Sequence, residues 1–384
     1  MTSRLLNNSY RIAVMLTLAA VLAGLPSPAI ASTRALPGDK TLVSVDSSGV
    51  VGNAGSISAS VSGDGRFVAF ASDASNLVSL ALTVGPNIFV RDRQAGTTTL
   101  VSLNLTGGGP NGGSEEPSIS SDGRFVAFQS DATDLVSVDT NGTTDIFVRD
   151  RQSGTTTLVS VDSAGTQAND VSDSASISAD GRFVAFTSAA SNLVAGDTNG
   201  TNDVFLHDLQ TGATTRVSVD SSGAEANGSS GFGSVSGDGR LVAFSSNANN
   251  LVLGDTNGRT DVFVRDGLSG VTTRVSISTS GVEATLNSVS PAISADGRFV
   301  MFSSPSDTLV VTDSYGFDQI YARDLLTNET TLVTVGVEGF AFVGKSYDPS
   351  VSADGRYVAF QFNDQDSIPD FEVMVQDRQT KASV

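Results

Sequence analysis

The sequence predicts an all-β chain, a six-bladed β-propeller of four-stranded antiparallel blades closed by the N-terminal strand. Three observations carry this expectation. Asp-Gly-Arg followed by an apolar run occurs six times, with its aspartate at Asp64, Asp122, Asp180, Asp238, Asp296 and Asp354, each 58 residues after the last. Each period holds four short β-rich runs punctuated by Asp-Gly, Asn-Gly and Ser-Gly turns. No long stretch shows amphipathic helical periodicity.

The second period shows the elements in order. Pro117-Ser118-Ile119-Ser120 is a short inner run of small residues, suited to crowding beside a central channel. Asp122-Gly123 is a tight hairpin signal. Phe125-Val126-Ala127-Phe128 is apolar on both sides of its alternation, so the strand needs cover on both faces, as sheets stacked around an axis provide. Asp145-Ile146-Phe147-Val148 is the third run, and Thr156 to Val161 the fourth. A string of immunoglobulin-like domains would need about 100 residues each, more than one period supplies. The last period stops at Asp377-Arg378-Gln379-Thr380-Lys381, before its fourth strand is complete. Thr41-Leu42-Val43-Ser44-Val45 matches the missing run, so residues 41–45 are expected to complete the sixth blade and hide its edge. Residues 32–384 then form one propeller domain.

Composition narrows function. Of 384 residues, 39% are hydrophobic, none is cysteine and one is histidine. Disulfides, thiolate metal sites and multi-histidine centres are excluded, and a histidine-based triad has almost no material. A net charge of −19 would repel a phosphate backbone, so no nucleic-acid partner is expected. Arg4 and Arg11, an apolar run from Ile12 to Leu25 and Ala29-Ile30-Ala31 have the n-region, h-region and cleavage-site pattern of a signal peptide over residues 1–31. The apolar run is shorter than the roughly 20 residues of a membrane span. The expectation is an acidic, secreted or periplasmic monomer with no stable membrane insertion after cleavage.

Ser-x-Asp-Gly-Arg-Phe-Val-Ala-Phe, then Asp-Val-Phe-Val-Arg-Asp, then Thr-Gly-x-Thr-Thr-Arg-Val-Ser resembles the WD-like propeller repeat of TolB-type proteins, over residues 40 to 384. The resemblance implies an exported propeller that binds other proteins, often at the mouth of its channel. The α/β domain that precedes the propeller in TolB has no counterpart here. The repeat is also lengthened between its second and third strands, as by Asn192 to Gly200. Prolyl-oligopeptidase-like enzymes share this repeat type, but their catalytic domain is not matched either.

Residues repeated in every period are expected to serve the blade. These are the Asp-Gly-Arg groups and the aspartates ending the third strands: Asp92, Asp150, Asp208, Asp266, Asp324 and Asp377. His207, where neighbouring repeats have Arg149 and Arg265, reads as an ordinary polar substitution. The unlike acids Glu115, Glu116, Asp173 and Asp348 stand at the entrances to the inner strands and are the candidate ligand-binding set at the channel mouth. Three second-to-third loops carry Asp-x-Asn-Gly-x-x-Asp: Asp139, Asn141 and Asp145; Asp197, Asn199 and Asp203; Asp255, Asn257 and Asp261. Their hard oxygen donors suit Ca²⁺ at a weak affinity of about 10⁻⁴ to 10⁻³ M, while Asn-Gly is by itself a sufficient turn signal. The functional expectation is a non-catalytic scaffold that binds a protein, peptide or other ligand, not an enzyme. The alternative is a cation-dependent hydrolase or lyase working at the channel mouth.

Overall fold

The computed structural model describes residues 41–82, 85–311, 316–336, 341–363 and 372–383. The expected signal peptide, residues 1–31, lies outside the described residues. Six antiparallel sheets stand in a ring, and no helix forms among the described residues. The chain is an all-β, six-bladed propeller.

Blade three is representative. Its strands, Ser172–Ile177, Phe183–Ser188, Asp203–Asp208 and Ala213–Arg216, are hydrogen-bonded in that order from the axis outward. The pattern runs from Ser56–Val61 in blade one to Glu372–Asp377 in blade six. The fourth strand is shorter than the sequence run. In blade two it covers Thr155–Leu158, because the Ser160 hydroxyl then takes the Ile146 amide at 3.1 Å and donates to Asp145 at 2.5 Å. A side chain replaces the ladder there.

The second strands are covered on both faces. Val184 and Phe186 pack against Ala127, Ile146 and Val148 of blade two, whereas Ala185 turns with Val204 toward Val235, Val242 and Phe244 of blade four. Large side chains on one face thus meet small and β-branched ones on the next blade. Phe186 and Phe205 stack within the blade, ring centroids 5.8 Å apart, and burying each such ring contributes about 1.5–3 kcal/mol. The second-to-third loop also returns to this core, since Ala190 and Leu193 are buried.

Each blade corner is tied by an ion pair. Arg124 Nε and Nη2 donate to Asp150 at 2.9 and 2.7 Å, and equivalent pairs join Arg66 to Asp92 and Arg298 to Asp324. The Arg124 guanidinium lies over Phe125, 4.6 Å from the ring centroid. Gly181 sits at φ +75° in the hairpin, and a Cβ there would fall 2.1 Å from Cδ2 of Phe125 in the preceding blade. Beside these turns the backbone passes a bond from blade to blade: Gly63 N to Ser121 O, Ser121 N to Ala179 O and Ala179 N to Gly237 O.

Near the chain ends, blade six has three strands among the described residues, and Ser383 bridges to Gln376 on its outer edge. No ladder joins residues 41–45 to that edge among the described residues. Val45 pairs with Val51, as Val161 does with Gln167, and its carbonyl accepts the Thr98 hydroxyl as that of Val161 accepts Thr214's. The N-terminal segment therefore seats on blade one as later links seat on theirs.

Two outcomes follow from the corners. Gly181→Ala combines an unfavourable left-handed φ with a clash against Phe125 and should lose about 3 kcal/mol in urea unfolding. Arg298 holds the Asp324 carboxyl down at about 2, with backbone amides assisting. Its contribution is therefore complete above the ordinary carboxylate pKa and is lost as pH falls through about 2. Asp324→Asn should cost about 1 kcal/mol at pH 7, since Arg298 is partly solvated. Stability compared across pH should show that difference shrinking below about pH 4 and vanishing only below about pH 2.

Candidate functional site

Antiparallel order puts the inner-strand entrances, the second-to-third loops and the blade-to-blade links on one face of the disk. Two groups of side chains stand there. The first follows from a bulge in each inner strand: Asp173 pairs with Thr187 and Ser176 with Ala185, which leaves an extra residue between. That residue has φ near +50°, and it is Ser58, Glu116, Ser174, Phe232, Ser290 or Asp348 in the six blades. The backbone geometry is shared while the side chains differ. The Ser174 amide donates to Gln129 Oε1 and that of Phe232 to Thr187 Oγ1, both at 3.1 Å and both from the preceding blade.

Of the four acids expected at the channel mouth, Glu116 and Asp348 occupy the bulge, and Glu115 and Asp173 the position before it. Asp348 is exposed, and its Oδ1 accepts from Ser290 of blade five at 3.0 Å. Phe232, 44% exposed, belongs to the same ring and was not singled out from the sequence. Its place 58 residues from Ser174 was the available signal.

The second group joins a loop to a link. In blade three Arg216 Nη1 lies 3.6 Å from Asp197 and 3.4 Å from Asp203, and it pairs with Glu225. The oxygens of Asp197, Asp203 and Glu225 lie within 4.8 Å of one another, a spacing able to hold a metal ion. Blade four repeats this: Arg274 Nη1 is 3.3, 3.4 and 2.7 Å from Asp255, Asp261 and Glu283. In blade two, Gln167 Nε2 donates to Asp139 and Asp145 at 2.8 and 2.9 Å. The loop aspartates therefore converge in all three blades. The asparagines do a different job: Asn199 and Asn257 accept the amide two residues on and donate to Asp203 and Asp261. Asn141 likewise accepts the Thr143 amide and donates to the Ala168 carbonyl. Glu225, Glu283, Gln167 and the arginines lie outside the loop motif, which is why a local motif search misses them.

Burial, with the neighbouring Asp203 carboxylate, pushes the Asp197 carboxyl up to about 6. Burial also raises Asp145, Asp203 and Asp261, and, with Asp261, Asp255. For Glu225 burial works upward too, but the Thr198 hydroxyl and amide and Arg216 outweigh it and hold the carboxyl down at about 2. Each arginine thus faces three carboxylates.

His207 is buried, and burial lowers its pKa, so the ring is neutral. The Thr214 hydroxyl already donates to Val161 O, so His207 Nδ1 carries the proton it shares with Thr214 at 2.8 Å. It fills the structural place of Arg265, which makes the same bond to Thr272.

No family model matches the chain, and no curated protein sequence matches it. Solved structures do. TolB from Acinetobacter baumannii is 16% identical over 78% of this chain and 58% of its own, with a TM-score of 0.46. A prolyl endopeptidase is 14% identical over 86% of this chain and 42% of its own, TM-score 0.53. Oligogalacturonate lyase in complex with manganese is 14% identical over 85% of this chain and 74% of its own, TM-score 0.52. At these identities the likeness is one of fold. What the chain shares with them is the β-propeller fold. The expectation that it is not an enzyme is corrected by the same comparison: peptidases and a lyase carry this architecture, so the fold does not exclude catalysis.

The loop–link group generates a double-mutant test. Arg216→Leu leaves one buried and two partly buried carboxylates without their cation and should cost about 3 kcal/mol in metal-free urea unfolding. Adding Glu225→Gln recreates the Leu158 and Gln167 pairing of blade two and should restore most of the loss.

Proposed function

We propose that the chain is a binding scaffold of the periplasm or the extracellular space, which captures a protein or peptide partner as a monomer at the mouth of its channel. The observation that carries this is the bulge ring. Six blades share one backbone geometry at Ser58, Glu116, Ser174, Phe232, Ser290 and Asp348, while their side chains differ in charge and size. A position that the fold alone required would repeat its residue, as the corner Asp and Arg do. Export is supported by the leader-like pattern of residues 1–31. Among the described residues no helix is long and apolar enough to cross a membrane. The carboxylates of blade three are read as a divalent-cation site, with Ca²⁺ the match to an oxygen-only donor set.

A second reading places a cation-dependent hydrolase or lyase at the same mouth, and likeness in fold to a lyase solved with manganese favours it. One experiment addresses both. A photo-crosslinking amino acid at position 232 in the expressed full chain should trap one defined partner, and Glu116→Ala with Asp348→Ala should abolish the adduct. Turnover of a polyuronide by the purified protein with Mn²⁺, lost in the same double variant, would replace the scaffold reading with the catalytic one.

A further inference from the structure

We propose that blades two, three and four each hold one divalent cation between the second-to-third loop and the link that follows the fourth strand. The inference rests on the reading of the blade-three carboxylates as a cation site and extends it to two more blades and a second ligand set.

The first observation is a shared charge deficit. Asp197, Asp203 and Glu225 face Arg216 in blade three, and Asp255, Asp261 and Glu283 face Arg274 in blade four. Blade two has Leu158 in place of the arginine and Gln167 in place of the glutamate, leaving Asp139 and Asp145. Counted with every carboxylate ionised, all three groups have, by two different residue sets, the same formal excess of two negative charges. Blade one, with Ala81, Asn87, Leu100 and Gly109 at the matching places, carries none. A buried excess of charge is costly, and one divalent cation cancels this one.

The second observation is a set of unmet hydrogen-bonding groups. The Asp255 side chain is 2% exposed and faces Arg274 at 3.3 Å, yet neither of its carboxylate oxygens accepts a hydrogen bond. The buried Nε atoms of Arg274 and Arg216 have no acceptor either. A network complete as an ion pair would not leave these atoms unmatched.

The third observation is positional. A single nitrogen stands between the two aspartates of every group: Gln167 Nε2, Arg216 Nη1 and Arg274 Nη1. The cation takes that place. Gln167 then turns its amide to present Oε1, and the arginines move off the carboxylates and release the Gly196 and Gly254 carbonyls they hold. Carboxylates, carboxamide and carbonyl oxygens without imidazole or thiolate suit Ca²⁺, whose flexible geometry tolerates such sets, better than Mg²⁺. Each ion would staple a loop to a link on the face that carries the bulge ring.

The test is equilibrium dialysis of radioactive Ca²⁺ against the full chain, stripped with chelator and held at about 10 mM Ca²⁺, some tenfold above the weakest affinity expected. Three ions per chain are expected, two in Asp139→Asn, and tighter binding at blade three in Arg216→Leu. Gln167→Leu repeats the blade-two test should Asp139→Asn not fold. One ion, carried by blade three alone, overturns the three-site inference and leaves the blade-three reading intact. No bound ion overturns both. Three ions in both blade-two variants overturn the blade-two ligand set.

Discussion

The fold depends on one constraint, the need of every second strand for cover on both faces. Val126 and Phe128 of blade two lie against Ala69, Ala71, Ile88 and Val90 of blade one, while Ala127 turns toward Val184 and Phe186 of blade three. A sheet with two apolar faces cannot end in water, so each blade requires a neighbour. Close packing of a large face on a small one sets which side each neighbour occupies. The corner ion pairs and hairpin glycines then fix the register at which blades meet, because Gly123 and Gly181 lie against Phe67 and Phe125 of the blade before.

That constraint separates two kinds of position. Where all blades meet their neighbours in the same way, the residue repeats: Asp-Gly-Arg, the aspartate closing the third strand, the serine at the entrance to each inner strand. Where the blade faces the axis or the loops, the backbone repeats and the side chain does not. The bulge ring and the loop–link groups both lie at such positions, and both are on the same face. A scaffold rigid at its corners and variable at one face is suited to presenting unlike side chains in fixed places.

Much of this was legible in the sequence. The 58-residue period gave the blades, and Phe125 to Phe128 gave the double-sided burial. Less was legible where side chains substitute for backbone or act across the period. Ser160 ends the fourth strand early by taking a ladder bond itself, which no propensity signals. Ala190 and Leu193 anchor a loop that reads as polar and irregular. Arg216 and Glu225 reach Asp197 from the fourth strand and the following link, so the loop motif alone could not name them. The asparagine oxygens, expected beside the aspartates as ligands, are taken by backbone amides two residues away. Phe232 joined Glu116 only when the bulge fixed their common position.

The central claim is that the unlike side chains of the bulge ring are not required by the fold. Its most direct measurement is the thermal unfolding of one variant in which Glu116, Phe232 and Asp348 all become serine, the residue that blades one, three and five carry at that place. The account predicts a melting temperature equal to that of the parent chain. A loss as large as that caused by removing a corner aspartate would contradict it, and would make the ring part of the scaffold.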